Sequence, residues 1–405
     1  MKVNTFMSLP RKRSLFMSLP TKRSLFEADE EEEQEVCAAF VAYIEAVKHA
    51  KAVCMVNQSA CEGIISMYVK HRGGLQACRV FAIPDMKFNP SSFCEKYFIQ
   101  HFRFSHAEMD RVILSLYDVG FPSIIKSKTR DKCSLYEAFC MTCYKFAWPM
   151  RLGTMTRIFG ASTSRMSRII SALRSMLFKH FASKLKHPEL LSLASLERFC
   201  AAVRPKSGLS ICFAFIDGTV RPMCKPSVLQ GSCYNGKDRS HALKYQAVTT
   251  PDGMFLQLGG PWPGSRHDQF MVKESGILEY VVDLPRRADG ALFVIYGDQG
   301  YSTAPGIETP YFDDAVDAGH AAYNEAMSAS RICVEWAFGA ILQNWAHNAF
   351  TPQQQLLSNR KIGQVYIVSA LMTNFLNCLR PNNTSQYFGL LPPVLEVYVR
   401  TIYQP

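Results

Sequence analysis

Short apolar runs and helical apolar stripes alternate in the second half of the chain. Residues 211–216 form one uninterrupted apolar run that ends at Asp217, and residues 292–296 form another that ends two positions before Asp298. Runs of this length, rich in β-branched or aromatic residues and bounded by glycine, predict buried strands. Glu335 lies instead in a segment whose pattern predicts a helix. The pattern therefore predicts an α/β domain with acidic residues at the ends of its strands.

The positions of these acids predict a shared site. An aspartate just past a buried strand lies at the carboxyl edge of its sheet, where open α/β sheets bind their ligands. Asp217, Asp298 and Glu335 would converge there as oxygen ligands for two divalent cations, Mg²⁺ or Mn²⁺. Alone, each acid would more often be a turn, loop or exposed helical residue, so the hypothesis depends on the three occurring together.

Residues 152–178 have the pattern of two consecutive helices. Apolar spacing defines the first, Gly160 interrupts it, and Ser162 or Ser164 can cap the second. A helix, a glycine turn and a helix of this length predict a helix-turn-helix unit, which contacts double-stranded DNA through its second helix. The basic residues on that helix that would contact phosphates or base edges are Arg165, Arg168 and Arg174. An ordinary helical hairpin with solvated arginines would show the same spacing.

Positive charge is concentrated in the segment that contains these helices. The chain has a net charge of +11, and residues 101–205 hold 17 Lys and Arg against 7 Asp and Glu, a surplus of 10. A basic domain beside an acidic metal site suggests a polyanion held during cleavage, although a soluble basic surface is the simpler alternative. A second basic cluster follows the first strand, is suited to backbone phosphates, and consists of Lys237, Arg239, His241 and Lys244.

The first 100 residues give little indication of a packed core. A ten-residue unit occurs twice within residues 1–26, and a run of acids follows, so a disordered tail is predicted over residues 1–35. Residues 11–13, Arg-Lys-Arg, match a nuclear import signal or a phosphate contact, but such clusters are also common by chance. Residues 36–100 have partly helical composition and no assignable function.

Hydropathy and cysteine use argue against a secreted or membrane protein, and the nucleus is the predicted location. No secretory signal is present and no run approaches the roughly 18 apolar residues of a transmembrane helix, so no membrane association is expected. Fourteen scattered cysteines fit a reducing compartment. Cys140 and Cys143 form a C-x-x-C pair without a second pair nearby, so a buried helical pair is favoured over a zinc site.

Eight motifs in residues 215–339 resemble the nuclease domain of PIF/Harbinger transposases, a DDE family with an RNase H-like fold. They occur in the family's order and are FIDGT at 215–219, YNGK at 234–237, HALKYQ at 241–246, PDG at 251–253, PGSRHD at 263–268, GDQGY at 297–301, TPY at 309–311 and VEWAFG at 334–339. The resemblance covers roughly residues 102–380 of the chain.

The resemblance implies a role for each acid. Asp217 would bridge two metal ions, with Asp298 holding one and Glu335 the other, while an activated water cleaves a DNA phosphodiester. In an active transposase the freed 3′-hydroxyl then attacks a target phosphate. Asp268 matches a further acidic position of the family and would be a fourth metal-region carboxylate, or would alternatively cap the helix that opens at Gln269. A Myb-like DNA-binding partner protein and a homo-oligomer are expected by analogy.

Two other functions fit parts of the sequence. The motif at 215–219 is similar to that of haloacid-dehalogenase-like phosphatases, but Phe215 stands where those enzymes have their nucleophilic aspartate, so that chemistry is rejected. A domesticated descendant would bind DNA or a protein without cutting, and the intact acids favour the nuclease over it. Departures from the family pattern at Gln299, Trp336, residues 340–344 and residues 371–374 would weaken DNA binding and leave every acid in place.

The sequence therefore predicts an RNase H-like α/β nuclease domain preceded by an α-helical helix-turn-helix domain. The expected order is a disordered tail at 1–35, an uncertain segment at 36–100, a helical DNA-binding domain at 101–205, a nuclease domain at 206–350 and a helical C-terminal extension at 351–405. The predicted function is metal-dependent cleavage of double-stranded DNA, with possible strand transfer.

Overall fold

A computed structural model describes residues 83–311, 317–356 and 361–403 of the 405-residue chain. The expected tail with its repeat and basic cluster, and most of the uncertain segment, lie outside the described residues. The helices are α1 (Glu95–Phe102), α2 (His106–Asp118), α3 (Leu135–Ala147), α4 (Leu152–Phe159), α5 (Thr163–Lys186), α6 (Leu193–Ser207), α7 (Gln230–Cys233), α8 (Asp268–Ser275), α9 (Ile277–Asp283), α10 (Ala318–Asn344), α11 (Ile362–Leu379), α12 (Asn383–Phe388) and α13 (Leu395–Ile402). The strands are β1 (Ile124–Lys126), β2 (Lys132–Ser134), β3 (Cys212–Pro222), β4 (Tyr234–Asn235), β5 (Ser240–Thr249), β6 (Phe255–Pro263), β7 (Val294–Tyr296) and β8 (Ile307–Glu308).

The described residues group into two compact units. Residues 83–87 and 153–166 form the first, and residues 88–152 and 167–403 form the second. The helices α4 and α5 each contribute residues to both units.

A tight turn separates the two helical segments of the first unit. After α4, Gly160 has a φ of +56°, and a Cβ there would lie 2.0 Å from the backbone oxygen of Met86. Only glycine therefore fits the turn. Ser162 then caps α5, because its Oγ accepts a hydrogen bond from the backbone amide of Arg165 at 3.2 Å. Two helices, the glycine break and the serine cap are present as expected.

The second unit contains a mixed sheet of six strands. β3, β5 and β6 are successive antiparallel neighbours, β4 pairs with the start of β5, and β7 and β8 continue from β3 in parallel. The first five residues of β3 are all buried, which explains their unbroken apolar run. Side chains from α6, α9, β3 and β7 form a shared core, with Phe199, Phe213, Val281 and Ile295 among them. This mixed α/β sheet is consistent with a DDE nuclease domain.

The helix α11 is a core helix of the second unit. Its length and apolar composition would suffice to cross a membrane, but 78% of it is buried inside the fold. Asn374 ties it to β6, because Oδ1 accepts from the Phe255 amide and Nδ2 donates to the Phe255 carbonyl, both at 3.0 Å. The segment expected as a C-terminal extension therefore packs against the sheet.

The helices α1–α3 also pack within the second unit. Ser105 and Glu108 form a capping box at the start of α2. Arg103 Nε donates to the Asn344 carbonyl at 2.9 Å, and Arg380 pairs with Glu108. Residues 88–152 are thus grouped with the sheet rather than with a separate helical domain.

The C-x-x-C pair lies inside α3. Cys140 and Cys143 are both 0% exposed, and burial raises the pKa of each thiol well above its usual range. This is the buried helical pair that the sequence favoured over a zinc site.

Candidate active site

The parallel pairing of β3 with β7 brings two acids to the same edge of the sheet. The last pair is Phe215 with Tyr296, and Asp217 and Asp298 each follow two residues later. Asp298 therefore lies just past its strand, as expected. The prediction that Asp217 ends its strand is wrong, because β3 continues to Pro222 by pairing with β5. The antiparallel partner satisfies the backbone groups of β3 after β7 has ended.

Glu335 lies on α10, as expected, one helical turn after Arg331. Arg331 Nη1 donates to Asp217 Oδ2 at 2.6 Å, and Nη2 donates to Glu335 Oε1 at 3.3 Å. The guanidinium group therefore bridges the strand acid and the helix acid. Sequence reasoning missed Arg331, although its position four residues before Glu335 on a helix was a signal that could have found it.

Asp268 reaches the same region from the start of α8. His267 occupies the N-cap position without a side-chain cap bond, and Asp268 is the first helical residue. The capping alternative considered for Asp268 is therefore not seen. A Cβ on Gly300 would lie 2.9 Å from Asp268 Oδ2 and 3.0 Å from Asp298 Oδ1, and one on Gly218 would lie 3.3 Å from Asp268 Oδ1. Because both glycines lack a side chain, the carboxylates can lie close to the backbone there.

Burial dominates the electrostatics of Asp217. It raises the pKa of the carboxyl to about 6, against the opposing influence of the Arg331 charge, and Asp298 adds to the rise. Tyr301 shares this environment at 3% exposure. Burial raises the pKa of its phenol well above the usual range, and the charges of Asp217, Asp268 and Asp298 raise it further. Its hydroxyl has no hydrogen-bond partner among the residues described.

The four acids have the chemistry to bind a hard divalent cation, but three of them are paired with the protein's own cations. The four acids offer only oxygen atoms, which Mg²⁺ and Mn²⁺ prefer. Within the part of the chain that the structure describes, no three His, Cys, Asp or Glu side chains form a group that could hold a metal ion. Arg331 contacts Asp217 and Glu335, and Lys244 Nζ lies 3.2 Å from Asp268 Oδ1. Metal binding would therefore require these cations to give up carboxylate oxygens.

The segment that carries all four acids is similar to a known protein family. Residues 216–374 match the family model described as DDE superfamily endonuclease. This segment resembles a DDE endonuclease domain. "Protein ALP1-like" of Arabidopsis thaliana is 23% identical to the chain over 264 residues, which covers 62% of this chain and 63% of the relative. The match thus spans less than two thirds of that relative's length. No solved structure matches the chain.

Outside the DDE-like segment, the arginines of α5 have different environments. Arg165 is partly exposed in the first unit. In the second unit, Arg168 Nε donates to Asp131 Oδ2 at 2.7 Å, next to the β1–β2 turn. Arg174 is 5% exposed, and burial lowers its pKa to about 10. The structure does not place Arg174 where DNA could reach it, so its assignment as a DNA-binding residue is not supported.

Within the DDE-like segment, the second basic cluster divides into two parts. Lys237 and Arg239 are exposed in the turn between β4 and β5, and His241 is half-buried with its ring 5.5 Å from that of Tyr234. Lys244 lies further along β5 and pairs with Asp268. The hairpin thus presents two cations to solvent, while Lys244 belongs to the acidic site.

Proposed function

We propose that this protein is a divalent-metal-dependent DNA endonuclease of the PIF/Harbinger transposase type. The observation that carries the proposal is that Arg331 links Asp217 to Glu335 and that Asp268 and Asp298 both lie beside Gly300, inside a segment that matches DDE endonucleases. Holding these acids near one another, with the Asp217 side chain only 16% exposed, costs free energy because like charges repel and burial disfavours the charged form, and a bound divalent cation would offset that cost.

Each part of the site has a role in this reaction. When bound, two divalent cations would polarise the scissile phosphate and lower the pKa of the attacking water. Asp217, Asp298 and Glu335 would hold these ions, with Asp268 as the fourth acid. The exposed cations of the β4–β5 hairpin would bind backbone phosphates, a contact that weakens as salt concentration rises.

The proposal extends to fold, substrate and assembly. It includes an RNase H-like fold, double-stranded DNA as substrate, action in the nucleus and strand transfer of the 3′-hydroxyl. The mixed sheet and the family match support the fold and chemistry, and the net charge of +11 supports a polyanionic substrate. A homo-oligomer and a Myb-like partner protein are proposed from the sequence resemblance alone.

The test is nicking of supercoiled plasmid by the full chain in Mg²⁺ or Mn²⁺. Asp217→Asn and Glu335→Gln should abolish metal-dependent nicking because each removes a ligand charge. Glu325→Gln is the matched control, since Glu325 is an exposed acid on the same helix as Glu335. Equal nicking by wild type and the two site variants would refute the site assignment.

The second candidate function is a domesticated binder of DNA or protein that does not cut. The specific observation in its favour is the Arg331 bridge, which occupies two of the acids. Salt-sensitive DNA binding by the wild type, with no nicking in either metal, would favour this function over the nuclease.

A further inference from the structure

Both carboxylate oxygens of Asp217 already accept a hydrogen bond. Oδ1 accepts from the backbone amide of Gly218 at 2.7 Å, and Oδ2 accepts from Arg331 Nη1 at 2.6 Å. The amide donor is part of β3, whose pairing with β5 fixes it in place. The guanidinium donor is the end of a flexible side chain. An approaching cation can therefore gain access to Asp217 most readily by displacing Arg331.

The same guanidinium group also engages the helix acid. Arg331 Nη2 donates to Glu335 Oε1 at 3.3 Å, and the two residues are one turn apart on α10. The side chain of Arg331 is 19% exposed, whereas that of Glu335 is 57% exposed. Arg331 thus lies between a half-buried acid, 16% exposed, and an exposed one, where its single positive charge offsets part of their combined negative charge.

We propose that Arg331 is a built-in cation that holds Asp217 and Glu335 in the metal-free protein and competes with the divalent metal for them. A metal ion and a guanidinium group repel each other, and both require the oxygen lone pairs of the same two carboxylates. Entry of the metal is therefore favoured when Arg331 leaves. This inference rests on the proposed function and assigns Arg331 a positioning role in it.

The proposal predicts that removing the competing charge strengthens metal binding. Mn²⁺ binding to the full chain without DNA would be measured by isothermal titration calorimetry. Arg331→Gln should bind Mn²⁺ at least about tenfold more tightly than wild type, a factor equal to about 1.4 kcal/mol. Arg331→Lys should fall between the two, because it keeps the charge but cannot donate to both acids in the planar fork geometry.

A matched control separates direct competition from a general loss of positive charge. Arg266 is exposed, stacks on Phe270 at 4.5 Å and lies two residues from Asp268. Arg266→Gln removes the same charge from the neighbourhood of the site without removing a partner of Asp217 or Glu335. Its Mn²⁺ affinity should remain within about twofold of wild type. If Arg266→Gln gained as much Mn²⁺ affinity as Arg331→Gln, the proposal of direct competition would be overturned.

A second readout is the shift in melting temperature on adding Mn²⁺. In EDTA, Arg331→Gln should melt below wild type because the buried Asp217 loses its compensating charge. Saturating Mn²⁺ should then raise the melting temperature of the variant more than that of wild type. Equal or smaller shifts in both Arg331 variants would overturn the proposal.

The outcomes distinguish this inference from the proposed function. If wild type binds Mn²⁺, Asp217→Asn abolishes that binding and Arg331→Gln binds Mn²⁺ more weakly than wild type, the metal site is supported and competition by Arg331 is refuted. Binding by Arg331→Gln but not by wild type would support competition in its strongest form. Absence of Mn²⁺ binding in both proteins would refute the metal site and this inference together.

Discussion

Replacing Asp217 with asparagine is expected to stabilise the metal-free protein at neutral pH. Asparagine has nearly the same shape but no charge, and burial raises the pKa of the Asp217 carboxyl from 3.8 to about 6 despite the nearby Arg331. At pH 8 the folded protein therefore holds a buried carboxylate that would be more favourable in the unfolded chain. A shift of about two pH units corresponds to about 3 kcal/mol of unfolding free energy.

The sign of the pH dependence follows from proton binding. Between about pH 4 and pH 6 the folded state binds more protons at Asp217 than the unfolded state does, so the stability due to this group falls as pH rises. The stability that protonated Asp217 contributes is fully present below pH 3.8 and is lost above about pH 6. Other titrating groups are common to both proteins and cancel in the comparison. The advantage of Asp217→Asn should therefore grow by about 2.5 kcal/mol between pH 4 and pH 8, because Asp217 in the unfolded chain is already partly ionised at pH 4.

The assay is urea unfolding followed by circular dichroism in EDTA at both pH values. Glu335→Gln is the control, because its carboxylate is 57% exposed and its helical ion pair with Arg331 is worth about 0.5 kcal/mol or less. If the pH curves of Asp217→Asn and wild type ran parallel, or the variant were less stable at pH 8, the reasoning would be refuted. The Asp217–Arg331 pair would then be a net source of stability.

Three further substitutions test the packing of the second unit, each by urea unfolding. Asn374→Ala should lower the free energy of unfolding by about 3 kcal/mol or more, because it leaves the buried N–H and C=O of Phe255 unpaired. The control Asn377→Ala loses one hydrogen bond, of 2.8 Å to the Gly253 carbonyl, and should lower it by about 1 kcal/mol; equal losses in the two variants would contradict this reasoning. Gly253→Ala should lower the free energy of unfolding by about 1 kcal/mol more than Gly120→Ala does. Both glycines have a positive φ, but only a Cβ at Gly253 would clash with the Asn382 amide that caps α12. A larger loss for Gly120→Ala would argue against a stabilising role of this cap. Tyr301→Phe should be neutral or stabilise by up to about 1 kcal/mol, because the buried hydroxyl lacks a partner among the described residues; a loss of 2 kcal/mol would mean that it has one.

Local patterns in the sequence were enough to locate the elements that carry the site. Residues 212–216 and 294–296, which make up most of the two apolar runs, are buried strand residues, and the segment around Glu335 is helical. The caps at Ser105 and Ser162 were also recognisable, because a cap depends on residues three positions apart. Such features are determined by neighbouring residues, so they can be inferred from the sequence alone.

The environment of each charged side chain was less predictable. Arg168 and Arg174 were expected to face DNA because α5 matched the second helix of a helix-turn-helix, but Arg168 pairs with Asp131 and Arg174 is buried. Asp131 lies 37 residues before Arg168 in the chain, and no local pattern links them. Exposure depends on which elements pack against a helix, and helical spacing does not specify that.

The sequence by itself determined that strand residues precede Asp217 and Asp298 and that Glu335 lies on a helix. Only the tertiary structure decided that β3 continues beyond Asp217, that α11 packs as a core helix, and that Arg331 bridges Asp217 and Glu335. The physical reason is the separation in sequence of the groups involved. Asp217 and Arg331 are 114 positions apart, and their ion pair forms only when the sheet and α10 pack together.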